Sequence, residues 1–241
     1  MKAIILAGGF GMRLREVIKD IPKPMAPVDG RPFLEYLVLQ LAGRGVDEII
    51  MSVGYKGDVI RACFGNGERW GIRISYSEEK EPLGTGGALK KAAGSADDGR
   101  FVVMNGDSFL NIDMDEFMNF HSKKNASATI ALVQTGNAGR YGRVETDGAG
   151  AVVNFSEKGN GVEGYVNGGI YIFERDIIRH VPDGKVSLEE DVLPRFSGNG
   201  LYGMPTNGFF IDIGIPEDYL RLCDNPGPLA AALRQREWSA I

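Results

Sequence analysis

Apolar and polar positions divide the chain into two textures. Through the first half, short apolar runs alternate with stretches of helical spacing. Residues 4–7 form an apolar run suited to a strand buried on both faces. Over 33–42, the apolar residues at 33, 34, 37, 38 and 41 fall on one helical face, and Gly43 and Gly45 close it. A buried strand over 48–53, a helix near 58–64, a strand over 72–77, a helix to about residue 93 and a strand over 101–107 follow. That rhythm predicts βαβ units, a parallel sheet and right-handed crossovers.

From residue 128 the helices become sparse. Segments 129–134, 141–146, 151–156 and 165–173 read as strands, which predicts mixed or antiparallel sheet laid onto the first sheet. Ser187 opens a Ser-x-x-Glu capping box for a short helix ending near Pro194. A strand over 209–214 precedes a proline-started helix over 217–223. The weakly amphipathic 229–236 segment is open to packing on the body or to an oligomer contact. With no repeat, low-complexity segment or linker, the 241 residues are expected to form one unit.

Composition narrows the function classes. The formal net charge of −5 leaves no face-wide basic excess, which argues against a nucleic-acid partner. Any anionic substrate must then be met by a few locally placed Lys and Arg residues. Cys63 and Cys223 are too few for a disulfide framework and lack metal-ligand spacing, so reduced, partly buried thiols are expected. The run at 4–7 is too short for a signal-peptide core and no run reaches membrane-spanning length. A cytoplasmic location with no membrane partner is expected.

Candidate chemistry gathers where strands end. The first apolar run spills into Gly8, Gly9 and Gly11, and Arg13 follows. Successive backbone N–H groups in such a loop can cradle phosphates, and the arginine adds a charged fork. The loop is neither a P-loop nor a dinucleotide fingerprint: Met12-Arg13 follows Gly11, and Leu14 stands where the third fingerprint glycine would be. Pro22-Lys23-Pro24 mounts a cation on stiff backbone with its side chain long and free, which favours a chemical role over a plain surface charge.

A second glycine loop, Glu81-Pro82-Leu83-Gly84-Thr85-Gly86-Gly87, follows the 72–77 strand, with Thr85 placed to cap the next helix. A tight connection and a ligand loop at the sheet's carboxyl edge are both open. Asp107 ends a buried strand, where a Mg²⁺ ligand and a helix cap are both open, and Asp212 is a second strand-borne aspartate. Asn167-Gly168-Gly169 interrupts another strand, as glycines do at a close approach of ligand or backbone. His121 and His180 lie in or beside polar helical stretches and are expected to be solvated, so Ser-His-Asp chemistry is not expected. Together the motifs suit a reaction that handles a nucleoside triphosphate by positioning and charge neutralisation.

Taken in order, Leu6 to Leu14, Pro22-Lys23-Pro24-Met25, Pro82 to Gly87, Asn105-Gly106-Asp107, Glu157-Lys158, Val166 to Gly169 and Ile211 to Gly214 resemble the sugar-1-phosphate nucleotidyltransferases over almost the whole length. The resemblance implies an α/β fold with a Rossmann-like, mixed, mostly parallel central sheet flanked by helices. It also implies a nucleotide-binding part over about 1–125 and a smaller antiparallel sugar-binding part over about 126–241, in one domain. The implied reaction joins a sugar 1-phosphate to an NTP with release of pyrophosphate, giving an NDP-sugar for surface polysaccharide synthesis. Leu6, Ala7, Gly8, Gly9, Gly11 and Met12, with Glu81, Pro82, Gly84, Thr85 and Gly86, would bind the nucleotide. Arg13 would hold the departing pyrophosphate, and Lys23 would neutralise charge on the α-phosphoryl group and the attacking phosphate. Asp107 and Asp212 would hold Mg²⁺. Lys158 would grip the sugar phosphate, with Gly142, Glu157, Asn167 and Gly168 facing the sugar. No general base is needed, because the nucleophile is already an anion.

One residue departs from the pattern: the family has Thr or Ser where this chain has Met12, so the loop loses a hydroxyl while Arg13 and Lys23 remain. Glu81 before Pro82 is similar to the guanylyl and mannose-type members, since a carboxylate there accepts from guanine N1–H and N2–H. The 33–37 segment, the Gly-Thr-Gly-Gly loop and the 209–219 segment look most like the D-glycero-α-D-manno-heptose 1-phosphate guanylyltransferases, which makes GTP the favoured NTP. A uridylyl- or thymidylyltransferase on another hexose 1-phosphate is the near alternative. An inert nucleotide-sugar-binding protein is disfavoured by the retention of Arg13, Lys23, Asp107 and Asp212, and a Rossmann dehydrogenase by the missing glycine. A homo-oligomer is left open.

Overall fold

The computed structural model describes all residues except 10, 12, 13, 15, 16, 19, 43, 95–98, 137, 139, 140, 157–162 and 235–241. Strand β1 (Lys2–Leu6) leads to a small hairpin, β2 (Pro27–Val28) and β3 (Arg31–Pro32), and to helix α1 (Phe33–Leu41). Next come β4 (Glu48–Val53), α2 (Gly57–Phe64), β5 (Arg73–Glu78), α3 (Gly84–Ala93), β6 (Arg100–Asn105), the short β7 (Ser108–Leu110) and α4 (Met114–Lys123). Strands β8 (Ala128–Thr135), β9 (Arg143–Thr146), β10 (Val152–Ser156) and β11 (Gly164–Glu174) follow with one short helix, α5 (Arg175–Ile178). The described chain ends in β12 (Leu201–Thr206), β13 (Phe210–Asp212), α6 (Pro216–Asp224) and α7 (Gly227–Arg234).

Among the described residues nine strands share one sheet, in the order β10-β9-β11-β6-β1-β4-β5, with β8 on β11 and β12 on β8. β1 is parallel to both β4 and β6, and β4 is parallel to β5, so the expected parallel block is present. β11 runs antiparallel to β6, pairing Ile170 with Met104 through to Glu174 with Arg100. The second half therefore extends the first sheet edge to edge, a correction to the expectation that it lies on top of it. β7 and β13 form a separate antiparallel pair that sets Asp212 opposite Ser108.

The sheet is buried on both faces, which is why its central strands read as continuous apolar runs. Alternate residues go to opposite cores. Ala3, Ile5, Ile49, Met51, Val102 and Met104 face α1, with Phe117 of α4 and Leu229 of α7 in the same core. Ile4, Ile50, Phe101 and Val103 face the other way, packing with Leu89 of α3, Ile177 of α5 and Leu188. Leu229 and Ala232 are buried, so the described part of the C-terminal amphipathic segment packs onto the body. α1 is buried on nearly every side and not on one face alone: Glu35 and Gln40 are also inside, and Gln40 Nε2 donates to the Leu110 carbonyl at 2.6 Å.

Other expectations are also corrected. β12 escapes the sequence pattern because Gly203 and Pro205 interrupt it. Its ladder is with β8, and its far side carries a single bridge, Tyr202 to Ala151, so Pro205 sits on a largely open edge that tolerates a proline. His121 is fully buried and not solvated, with Nδ1 2.8 Å from Thr129 Oγ1 and Nε2 3.1 Å from Glu174 Oε1. His180 is exposed, as expected. Both cysteines are free thiols, but Cys63 is exposed. No described helix is long and apolar enough to cross a membrane.

Candidate active site

Two cavities open at the carboxyl end of the parallel block, where ligands settle in open α/β sheets. The first, about 520 Å³, is lined by Leu6, Ala7, Gly8, Gly9 and Gly11 of the first loop, by Lys23, and by Pro82, Gly84 and Thr85 of the second loop. The second, about 770 Å³, is lined by Tyr141, Gly142, Arg143, Asn167, Gly169, Glu189 and Asp212 among others. Asn105 and Asp107 line both, so the cavities meet at the end of β6.

The first loop is shaped by close approach. Ala7 N–H donates to the Ser52 carbonyl at 2.8 Å, which keeps the chain beside β4 as it leaves β1. Gly11 has φ +56°, and a Cβ there would stand 2.8 Å from Lys23 Cβ, so this position requires glycine for both conformation and space. The loop thus packs on the lysine mounted between Pro22 and Pro24, which starts a 3₁₀ turn, Lys23–Met25. The Lys23 side chain is not free: only 10% exposed, it donates from Nζ to Asp107 Oδ2 at 2.6 Å and lies 3.9 Å from Asp212 Oδ1. Asp107 comes from the turn after β6 and Asp212 from the end of β13. The β7–β13 pairing brings these distant aspartates to one lysine.

The second loop serves a different local purpose from the one expected. Thr85 does not cap α3, whose N-cap is Leu83. The amides of Gly86 and Gly87 donate instead to the Val186 carbonyl, at 2.9 and 3.4 Å. Thr85 Oγ1 donates to Glu189 Oε2 at 2.7 Å and accepts from Leu188 N at 2.7 Å. Gly86 is buried beneath that contact and does not line the cavity. Glu81 is exposed and also lies outside the cavity lining, whereas Glu79, which sequence reasoning passed over, lines it. The Glu79 carboxylate accepts from Ser52 Oγ and from Leu83 N, both at 3.1 Å, and so ties the second loop to β4. Lys185 is a further lining cation that the motifs did not reveal.

In the second cavity the strand break in β11 is a bulge, with the β8 register shifting between Asn167 and Tyr171. Gly169, φ +76°, holds the bulge, because a Cβ there would collide with Ser108 Oγ. Asn167 Oδ1 accepts from Gly169 N at 2.9 Å. Asn167 and Gly142 line the cavity, but Gly168 packs toward Leu110, and Gly169 takes its place in the lining. Asn105 Oδ1 and Ser108 Oγ, flanking Asp107 in sequence, are buried oxygens with no hydrogen-bond partner among the described residues. Met12, Arg13, Glu157 and Lys158 lie outside the described residues.

A glycine loop ending a parallel strand, a lysine between two aspartates, and a second cavity meeting the first at Asn105 and Asp107 define an α/β protein with two adjoining ligand-sized cavities. The chain belongs to the Nucleotidyl transferase family, whose profile matches residues 2–225. It is 44% identical to D-glycero-alpha-D-manno-heptose 1-phosphate guanylyltransferase of Aneurinibacillus thermoaerophilus, over 91% of this chain and 95% of that one. It is 42% identical to the Campylobacter jejuni protein of the same name, over 93% of this chain and 100% of that one. The crystal structure of HddC from Yersinia pseudotuberculosis complexed with GMP-PN superposes with a TM-score of 0.80 at 39% identity, covering 92% of this chain and 98% of that chain.

Proposed function

We propose that the chain transfers the GMP unit of GTP to D-glycero-α-D-manno-heptose 1-phosphate and releases pyrophosphate. The observation that carries this reading is Lys23, held between Asp107 and Asp212 where the two cavities meet. Similarity over nearly the full length to two heptose 1-phosphate guanylyltransferases supports the substrate pair.

In this reading the first cavity takes GTP. Leu6 and Ala7 lead into Gly8, Gly9 and Gly11, whose backbone wraps the triphosphate together with Met12, and Arg13 holds the departing pyrophosphate. Pro82, Gly84 and Thr85 face the base and ribose, with Gly86 behind them and Glu81 reading the guanine edge from the rim. The second cavity takes the sugar phosphate: Lys158 grips the phosphate, and Gly142, Glu157, Asn167 and Gly169 surround the sugar, with Gly168 behind them against Leu110. A phosphate oxygen attacks the α-phosphorus in line. Lys23 neutralises the negative charge that both reacting groups bring to the junction.

Asp107 and Asp212 fit a Mg²⁺ ion by the chemistry of their donors, since both offer hard carboxylate oxygens on one small region. Among the described residues no cluster of three or more His, Cys, Asp or Glu side chains could hold a metal. Two carboxylates suit Mg²⁺, which keeps its other positions for phosphate oxygens and water. When bound, the ion would supply charge neutralisation on the phosphates. A cytoplasmic location goes with GTP as substrate and with the free thiols.

The test is a pyrophosphate-release assay with Mg²⁺, crossing the four common NTPs and dTTP with heptose, mannose and glucose 1-phosphates. GTP with the heptose 1-phosphate should turn over fastest. Fastest turnover with UTP or dTTP and a hexose 1-phosphate would overturn the substrate assignment, and no turnover with any pair would overturn the enzyme.

A further inference from the structure

Between the two cavities lies a polar chain whose central members, Glu189 and Tyr171, have no part in the transfer described above. Glu189 sits in a π-helical turn, Leu188–Val192, a conformation rare in proteins and frequent at functional sites. Its Oε2 accepts from Thr85 Oγ1 at 2.7 Å and from Ser187 Oγ at 3.3 Å. Its Oε1 accepts from the Tyr171 hydroxyl at 3.0 Å. Tyr171 is fully buried, and its oxygen in turn accepts from Asn167 Nδ2 at 2.7 Å and from Asn105 Nδ2 at 3.4 Å. A phenol has one proton to give and two lone pairs to fill, so Tyr171 is fully satisfied. Burial and the neighbouring Glu189 carboxylate push its pKa well above the ordinary value, which keeps it the donor to Glu189.

The ends of this chain are not equivalent. Thr85 lines the first cavity, Asn167 lines the second, and Asn105 lines both. Glu189 itself lines the second cavity while holding a residue of the first. A single carboxylate thus fixes the hydroxyl of one half-site and, through one buried phenol, the amide of the other. Any shift of Asn167 on engaging a sugar hydroxyl must move or strain its bond to Tyr171, whose donor and both lone pairs are committed, and Tyr171 passes the change to Glu189 and so to Thr85.

We propose that Glu189 is a positioning residue that couples the two half-sites, so that occupation of the sugar cavity tightens nucleotide binding and the reverse. The proposal rests on the assignment of the two cavities to nucleotide and sugar phosphate. By linkage, the two enhancements are one and the same factor. Glu189→Gln keeps the shape but turns one acceptor into a donor, which breaks one arm of the chain. Tyr171→Phe removes the connecting hydroxyl alone.

The test is calorimetric titration of the full chain with a GTP analogue bearing a methylene α–β bridge and with D-glycero-α-D-manno-heptose 1-phosphate, each alone and each with the other saturating. In the wild type each ligand should lower the other's Kd by about tenfold. In Glu189→Gln and in Tyr171→Phe the factor should fall to within about twofold of unity with the thermal midpoint retained. In Tyr171→Phe, whose residue lines neither cavity, each single-ligand Kd should stay within about threefold of wild type. The proposal is overturned by variants that keep the wild-type factor, by variants that lose each ligand's separate binding instead of the factor, or by a wild type with no factor to lose. A wild type that binds neither ligand overturns the guanylyltransferase reading itself, which is a different failure.

Discussion

The ammonium of Lys23 donates to Asp107 at 2.6 Å across 84 positions of sequence, and that pair sits where both cavities open. A lysine so held already has a fixed place before any phosphate arrives. Lys23→Ala should therefore leave folding intact while lowering kcat by about 10²–10³-fold, the cost of removing one preorganised charge from a transferring group. Steady-state kinetics beside a circular-dichroism melt checks this. Turnover near wild type would remove Lys23 from the chemistry.

Glu81 is exposed, so Glu81→Gln should not disturb the fold. It should lower the ratio of kcat/KM for GTP over UTP by about tenfold, the scale of one hydrogen-bonded group read across a cleft. An unchanged ratio would show that guanine is read elsewhere on the loop. Glu79→Gln is the informative companion, because Glu79 ties Ser52 to Leu83 and its loss should lower the melting temperature as well.

Met12 stands in the phosphate loop where the resemblance leads one to expect a Thr or Ser hydroxyl. Met12→Thr places a hydroxyl there and should lower the KM for GTP by about tenfold, the low end for one added hydrogen bond to a charged group. A KM that does not move would show that the backbone alone makes the contact at this position.

His121 predicts a dependence of stability on pH. Burial lowers its pKa below the ordinary 6.5, with the Glu174 hydrogen bond opposing that shift in part. The folded state then resists protonation that the unfolded chain accepts at about pH 6.5. Stability from the neutral ring is fully present above that pH and is lost as pH falls from it through the lower folded pKa. The melting temperature should decline on acidification from pH 7 to pH 5.5, and less steeply in His121→Gln. Equal slopes in the two proteins would assign the decline to other groups.

Much of the scaffold was legible because its physics is local. Strands buried on both faces must be apolar throughout, so β1, β4 and β6 stand out as runs, and glycine loops at their ends mark the cleft. What was hidden depends on contacts between distant residues. Nothing near Thr85 indicates that its hydroxyl belongs to Glu189, 104 positions away. His121 reads as a polar residue of a surface helix, and only the arrival of Thr129 and Glu174 makes its burial tolerable. Within loops the pattern named the right segment more readily than the right member: Glu79 and Gly169 line the cavities where Glu81 and Gly168 were expected.

The antiparallel pairing of β11 with β6 has a mechanical consequence. Residues 170–174 are laddered to the strand that carries Asn105 toward the junction, while residues 164–167 of the same β11 pair with β8 beside the second cavity. Two lobes joined by a flexible tether can close on a substrate like jaws. Here the two sides of the cleft share one continuous strand, and swinging them apart would shear a hydrogen-bonded ladder. Entry and exit of ligands must therefore be handled by the loops at the cleft's mouth, with the floor staying still.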